Sequence, residues 1–103
     1  MVHVSNIFFA LTSSPDRYGG VEAEVSTAAE GRPFDAALTD AMAGWAHERK
    51  EGIWLRIPLA CAECVGAAAA QGFEFHHARP EYVMMTRWLP TDRPSPLPRH
   101  GFT

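Results

Sequence analysis

The chain has 103 residues and carries 9 Lys and Arg against 12 Asp and Glu, which gives a formal net charge of −3 and a pI near 5.9. Its length predicts one domain, and a composition of 47% hydrophobic and 20% charged residues excludes a disordered or fibrous chain. The acidic balance argues against nucleic-acid binding, and no apolar run approaches the roughly 20 residues of a membrane helix.

The first half of the chain predicts two strands followed by a helix. Residues 2–11 are rich in β-branched and aromatic side chains, and residues 21–25 alternate apolar and acidic side chains; both patterns are typical of strands. Pro33 suits the first turn of a helix, where its missing N–H costs nothing, and Gly52 suits the end of that helix. One apolar stripe at three- and four-residue spacing runs along this helix: Phe34, Leu38, Ala41, Met42 and Trp45.

The second half predicts three more strands and a second helix. The expected elements are strands over residues 53–57, 73–77 and 82–89, and a helix over residues 58–71. The resulting order, ββαβαββ, predicts an α/β fold. Its two strand-helix-strand crossovers predict a mixed sheet with parallel pairs inside.

The residues after Leu89 are rich in proline and predict an extended segment in place of further helices or strands. Prolines occupy positions 90, 94, 96 and 98, and proline fixes an open backbone and removes hydrogen-bond donors. We therefore expect an α/β domain over residues 1–90 and a proline-rich extended tail over residues 91–103.

Cys61 and Cys64 form a C-x-x-C pair at the start of the second predicted helix. A helix N-terminus lowers the pKa of a thiol, so this pair could serve dithiol redox chemistry. The alternative is packing on a helix face, which is favoured because no other feature is thioredoxin-like. Without a secretory signal, two cysteines indicate free thiols in a reducing compartment, and we expect an intracellular protein, either cytoplasmic or organellar (mitochondrion or chloroplast).

The same cysteines could begin a metal site, because His76 and His77 follow at about the spacing of a Cys/Cys/His/His finger. Neighbouring strand residues point to opposite faces, so only one of the two histidines could join the site. The candidate ligands are then Cys61, Cys64 and His76. The alternative is no metal, with one inward histidine held by a hydrogen bond and one histidine at the surface.

Other catalytic patterns are missing from the sequence. No serine lies in a G-x-S-x-G elbow, and residues 17–20 precede a strand, not the helix that a phosphate loop needs. Trp45, Trp54 and Trp88 fall on predicted helix and strand positions, which favours core or interface positions over a stacking platform.

Three sequence blocks carry a resemblance to a known family. They are Asp-Arg-Tyr-Gly-Gly-Val at residues 16–21, Ile-Trp-Leu-Arg-Ile-Pro at residues 53–58, and Gly-Phe-Glu-Phe-His-His-Ala at residues 72–78, the last followed by Glu81-Tyr82 and Trp88-Leu89-Pro90. In this order they resemble the pre-Nudix domain, the N-terminal module of Nudix hydrolases of the plant nucleoside-diphosphate-linked and animal antisense-growth-factor types. The matching motif residues are Tyr18, Gly19, Gly20, Trp54, Pro58, Gly72, Phe73, His76, His77 and Trp88.

The resemblance implies a small α/β fold similar to GNAT acetyltransferases, followed by a Nudix domain. That domain would carry the box G-x5-E-x7-R-E-U-x-E-E-x-G-U, whose glutamates bind the divalent metals that activate water. This chain contains no Glu-Glu pair and no such box, and it reaches Thr103 a few residues after Leu97-Pro98. We therefore expect the hydrolase chemistry to lie outside these residues.

The GNAT likeness implies a glycine-containing loop that holds the pyrophosphate of acetyl-CoA on backbone amides. The corresponding residues here, 58–62, contain no glycine. We therefore expect no CoA binding, and no cofactor is predicted.

The sequence predicts a non-catalytic binding or interaction module, such as an accessory subunit of a larger assembly. The expected partner is a protein, bound through the exposed side of the sheet, the strand of Trp88 and the tail. One alternative is the N-terminal part of a Nudix-type nucleoside diphosphate-linked hydrolase whose catalytic domain is absent. A second alternative is a degenerate GNAT-like acetyltransferase.

Overall fold

The computed structural model describes residues 8–95, which form a mixed five-stranded sheet and two helices. The predicted α/β class is confirmed. In chain order the elements are β1 (Phe8–Pro15), β2 (Val21–Ala28), α1 (Phe34–His47), β3 (Gly52–Pro58), a 3-10 turn (Leu59–Cys61), α2 (Cys64–Ala70), β4 (Glu74–Ala78) and β5 (Tyr82–Trp88). No helix within residues 8–95 is long and apolar enough to cross a membrane.

The strands lie in the order β1-β2-β3-β5-β4. Strands β2 and β3 are joined by the crossover helix α1 and pair in parallel, as expected. The second crossover gives no parallel pair among the described strands. It carries β4 to the outer edge, and β5 then returns in a hairpin and pairs antiparallel with both β4 and β3.

The first strand extends further than the sequence predicts. Residues 12–16 look like a turn cluster, yet β1 continues to Pro15 because each of its residues faces a partner on β2, from Phe8 opposite Ala28 to Pro15 opposite Val21. Since β1 is an edge strand, a terminal proline costs it no inner hydrogen bond. The predicted start of this strand, residues 2–7, lies outside the described residues.

Both helices are shorter than predicted. The first ends at His47, and Gly52 begins β3 instead of closing the helix. Residues 59–61 form a single 3-10 turn after Pro58, so the second helix begins only at Cys64. The reason is that Pro58 continues the extended backbone of β3, with φ −61° and ψ 155°, up to the start of the turn.

One face of the sheet builds the core. Alternate strand residues point to the same side as the buried residues of both helices, and these side chains form a single cluster. Its members at or below 8% exposure are Phe9, Val21, Ala23, Val25, Phe34, Leu38, Trp45, Ile53, Leu55, Ile57, Cys61, Cys64, Ala68, Phe73 and Met85. Phe34, Leu38 and Trp45 confirm the stripe expected on the first helix. The intervening strand residues therefore occupy the opposite face.

The described start of the predicted tail lies against the domain. The indole Nε1 of Trp88 donates to the carbonyl oxygen of Arg93 at 3.0 Å, and the Arg93 guanidinium pairs with the carboxylate of Glu51. Residues 91–95 are thus attached to the end of the sheet. Pro96 and Pro98 lie outside the described residues, so the extended form of the rest of the tail stays a prediction.

Candidate functional site on the open face of the sheet

The face of the sheet opposite the helices carries aromatic, charged and sulfur-containing side chains. We call this surface the open face. Strand alternation places the following residues on it: Thr12, Ser14, Glu22, Glu24, Trp54, Arg56, Glu74, His76, His77, Tyr82, Met84, Thr86 and Trp88. Trp54, Met84 and Tyr82 are only half-buried, so large aromatic and sulfur-containing side chains stay accessible here.

His76 and His77 lie on the same face, contrary to the expectation that neighbouring strand residues diverge. The register of β4 against β5 shifts between Phe75 and His77, so His76 is the extra residue of a β-bulge. A bulge changes the direction of the extra side chain. Neither histidine points into the core, and the prediction of one inward and one surface histidine is wrong.

The two histidines join an aromatic network that crosses three strands. The His76 ring meets the indole of Trp54 edge-on at 4.7 Å, and the His76 and His77 rings lie 4.9 Å apart. On the other side, His77 Nε2 lies 3.3 Å from the hydroxyl of Tyr82. Edge-to-face ring pairs are favourable beyond the area that they bury. We call these four residues the aromatic-histidine cluster.

Arg56 extends this cluster with a cation. Its guanidinium carbon lies 3.8 Å from the centre of the Tyr82 ring, well within the range of a cation-π contact. The β2–β3 register places Arg56 beside Glu24. Because the guanidinium stacks on Tyr82 instead, no ion pair joins these two residues in the described structure.

A shallow groove of about 470 Å³ runs over the open face. Its lining combines hydroxyl groups of β1, carboxylates of β2, and an indole, a guanidinium and a thioether from β3 and β5. The lining residues are Thr12, Ser13, Ser14, Glu22, Ala23, Glu24, Trp54, Arg56 and Met84. The groove can therefore offer both apolar contact and negative charge to a ligand.

The cysteines are far from this chemistry. Cys61 and Cys64 are both buried in the core on the helix side, as free thiols. Burial raises the pKa of both thiols, that of Cys64 to about 12, which is the opposite of the lowering expected at a helix start. The nearby Glu63 raises both pKa values further. Thiols in this state are poor nucleophiles, so the redox interpretation is not supported.

The structure does not bring the three candidate metal ligands together. Cys61 and Cys64 belong to the core on one side of the sheet, whereas His76 contacts Trp54 on the open face. Within residues 8–95 no three His, Cys, Asp or Glu side chains are grouped to hold a metal ion.

The first motif block forms a tight loop between β1 and β2. The Asp16 carboxylate accepts the backbone N–H groups of Tyr18 and Gly20, at 2.7 and 2.8 Å. Gly19 has φ +82°, a conformation that favours glycine. Tyr18 is 78% exposed. The block therefore forms a turn that exposes Tyr18 to solvent. The glycines contribute by their backbone conformation and hydrogen bonding, not by a side chain.

The other motif residues have structural positions as well. Gly72 ends the second helix with φ +93°, and a Cβ there would lie 1.8 Å from Nη1 of Arg87. Phe73 is buried in the core at 3% exposure, and Pro58 closes β3 opposite Tyr82. Of the ten predicted motif residues, Trp54, His76 and His77 meet in the aromatic-histidine cluster, and Trp88 lies further along the same face.

Sequence reasoning missed several members of the open face. The sequence predicts Met84 only as a strand residue, and Arg56 and Tyr82 only as members of the motif blocks. Period-2 alternation could have found them, because Glu22, Glu24, Trp54 and Arg56 are the residues between the buried positions of β2 and β3. The register between strands, which makes them neighbours, is not visible in the sequence.

Comparison with known proteins assigns the chain to a family. The profile described as Nudix hydrolase domain matches residues 11–89. Nudix hydrolase 10 of Arabidopsis thaliana is 40% identical over 84 residues, covering 82% of this chain and 30% of the relative. Nudix hydrolase 7 of the same plant is 35% identical over 91 residues, covering 88% of the chain and 32% of the relative.

An animal relative matches over a similar stretch. Nucleoside diphosphate-linked moiety X motif 6 of Mus musculus is 36% identical over 91 residues, covering 84% of this chain and 29% of the relative. The chain thus spans about a third or less of the curated relatives that it matches. None of these findings bears on a likeness to GNAT acetyltransferases, which stays a prediction. With a profile match over 79 residues and relatives that cover more than four-fifths of its length, the chain belongs to the Nudix hydrolase domain family.

Proposed function

We propose that this chain is the N-terminal part of a Nudix-type hydrolase that acts on nucleoside diphosphate-linked compounds. The observation that supports this most is the pattern of coverage: relatives named as Nudix hydrolases match 80–88% of the chain but only 25–32% of their own length. The substrate class follows the name of the animal relatives, nucleoside diphosphate-linked moiety X motif 6.

Within such an enzyme the module would bind and position, not cleave. The sequence lacks the glutamate-rich Nudix box, whose glutamates bind the divalent metals. The open face instead provides a groove with aromatic, cationic and anionic side chains. A surface of this kind contributes to catalysis by holding another part of the enzyme, or the substrate, in place.

A stand-alone interaction module is the second candidate. The half-buried aromatic-histidine cluster favours it, because large accessible ring surfaces are common at protein interfaces. The relatives support this interpretation less than the first, since all those matched are named for hydrolases or nucleoside diphosphate-linked chemistry. Neither the relatives nor the open face supports the acetyltransferase interpretation.

A chimera tests the proposed function. Residues 1–90 of this chain would replace the matching segment of Arabidopsis thaliana Nudix hydrolase 10, and hydrolysis of ADP-ribose and NADH would be measured with Mg²⁺. For the compound that the parent hydrolyses, we expect kcat/KM within about tenfold of the parent. A version in which an unrelated α/β domain of similar size replaces the segment is the control, and we expect it to lose at least a hundredfold.

Two results would contradict the proposal. One is a folded chimera that is no more active than the control, which would mean that this chain cannot serve as the module. The other is Mg²⁺-dependent hydrolysis by the 103-residue chain alone at a rate comparable to the parent, which would place the chemistry in this chain itself.

A further inference from the structure

We propose that the open face binds a polypeptide segment that carries a Lys or Arg side chain next to an apolar side chain. The cation would pair with Glu22 and Glu24, and the apolar side chain would pack on Trp54 and Met84. The partner is identified by its chemistry alone, so this inference does not depend on the proposed function.

The carboxylates of the open face favour the binding of a cation. Glu22 and Glu24 are exposed two residues apart on β2, so both carboxylates project from the same side of one strand. Arg56, the nearest cation by register, is engaged with the Tyr82 ring at 3.8 Å. The ion pairs within residues 8–95 involve neither carboxylate; they are Arg32–Asp40, Arg93–Glu51 and Arg93–Asp92.

A third carboxylate strengthens the negative field. Glu74 is exposed on β4 and lies opposite Thr86, which in turn lies opposite Trp54, so it projects from the open face as well. Three carboxylates against one guanidinium leave this surface negative. An anionic partner such as a nucleic acid would be repelled, whereas a Lys or Arg side chain would be attracted.

The apolar part of the groove lies beside these charges. Trp54 and Met84 both line the groove together with the two carboxylates of β2, and both are half-buried. Burying such surface favours association in proportion to the area covered, and Trp and Met are enriched at protein interfaces. Trp54 also offers a ring to a cationic side chain.

The arrangement fits a polypeptide better than a metal ion. The groove is shallow and extends over β1, β2, β3 and β5 with a volume of about 470 Å³. A metal site needs convergent ligands, and in residues 8–95 no third metal-binding side chain joins Glu22 and Glu24. A segment lying across the strands can instead reach the carboxylates and the Trp54–Met84 surface at the same time.

A pair of matched peptides tests this inference. The first probe is an amphipathic helical peptide of about 14 residues built from Lys, Leu and Ala; the second has Glu in place of every Lys. Each is titrated into the 103-residue chain, and NMR follows the three tryptophan indoles and the methionine methyl groups. We expect the Lys peptide to shift Trp54 and Met84, while Trp45, which is 7% exposed in the core, stays unchanged.

Charge-neutralised variants make the test specific. We expect Glu22→Gln/Glu24→Gln to weaken binding of the Lys peptide by about 3- to 10-fold, the range for two partly screened ion pairs. The control Glu30→Gln/Glu48→Gln removes the same charge from exposed sites outside the sheet and should leave the affinity unchanged.

Three results would overturn the inference. They are equal affinity for the Lys and Glu peptides, equal weakening by the two double variants, and no shift of Trp54 at millimolar Lys peptide. Each of these is independent of the chimera assay, since hydrolytic activity can survive when this groove binds nothing cationic. Failure of the one proposal is therefore distinguishable from failure of the other.

Discussion

The Nδ1 atoms of His76 and His77 lie 2.7 Å apart, although the two residues are neighbours on one strand. This contact exists because the β-bulge brings both rings to the open face. A hydrogen bond between two imidazole nitrogens needs one proton, so one ring must donate from Nδ1 while the other accepts there. For two neutral rings, the pair is therefore complementary only when the rings hold different tautomers.

We expect nitrogen-15 NMR at neutral pH to detect this difference. One ring of the pair should carry its proton on Nδ1 and the other on Nε2, because two bare or two protonated Nδ1 atoms would repel at 2.7 Å. His47, which is exposed on the first helix, serves as an internal reference for a solvated histidine. Finding the proton on Nε2 in both rings would disprove the contact.

Substitution of Gly20 by alanine should destabilise the fold. A Cβ at this position would lie 2.3 Å from the carbonyl oxygen of Gly52 and 2.7 Å from the carboxylate of Asp16, so backbone must move. We expect Gly20→Ala to lower the free energy of unfolding by about 1–3 kcal/mol, the usual cost of overpacking. Urea unfolding followed by tryptophan fluorescence measures this change.

Gly44 provides the matched control for that substitution. It lies inside the first helix, and a Cβ there would meet nothing within 4 Å. Gly44→Ala should therefore raise the free energy of unfolding by about 0.5–1 kcal/mol, because alanine loses less backbone freedom in a helix. Equal effects of the two substitutions would contradict the close approach of Gly20 and Gly52.

The buried thiols should make stability fall at alkaline pH. Burial raises the pKa of Cys64 from 9.0 to about 12 in the folded state, so the folded chain holds this proton where the unfolded chain releases it. The stabilisation is complete below pH 9 and is lost as the pH rises from 9 towards 12. At pH 10 the loss from Cys64 reaches about 1.4 kcal/mol relative to pH 7, and Cys61 adds to it.

Urea unfolding at pH 7 and pH 10 measures this loss, with Cys61→Ala/Cys64→Ala as the reference. The double variant keeps every other side chain, so the difference between its pH dependence and that of the parent isolates the thiols. Identical pH dependence in the two proteins would mean that the thiols ionise normally. In that case Ellman's reagent should also label them rapidly in the folded chain, whereas we expect labelling to require unfolding.

Removal of the residues after Pro90 should expose Trp88. The backbone of Arg93 accepts the indole N–H at 3.0 Å, and the Arg93 guanidinium lies over the same ring and pairs with Glu51. We expect a chain ending at Pro90 to show red-shifted tryptophan emission and a lower Tm. Arg93→Ala keeps the backbone acceptor, so it should cost less, about 0.2–1 kcal/mol for an exposed ion pair.

An unchanged emission maximum in the shortened chain would show that residues 91–95 do not cover Trp88. Trp45 and Trp54 contribute to the same spectrum, so the same truncation in a Trp88→Phe background is the control. There, truncation should leave the emission unchanged.

Periodicity in the sequence predicted much of the fold, and particular residues show why. The stripe of Phe34, Leu38 and Trp45 and the alternation at residues 21–25 encode burial directly, since a helix repeats every 3.6 residues and a strand every two. The motif blocks pointed to the Nudix family, which the relatives confirm.

The sequence by itself determined the order of the strands and the two helices along the chain, the core side of β2 and of the first helix, and the family. Only the tertiary structure decided which side chains meet. It set the single parallel pair among the described strands and the bulge at His76. It also stacked Arg56 on Tyr82, so that Arg56 forms no ion pair with Glu22 or Glu24. The reason is physical. Periodicity reports on which face of its own helix or strand each residue lies. Strand order and register depend instead on long-range pairing, which no local pattern specifies.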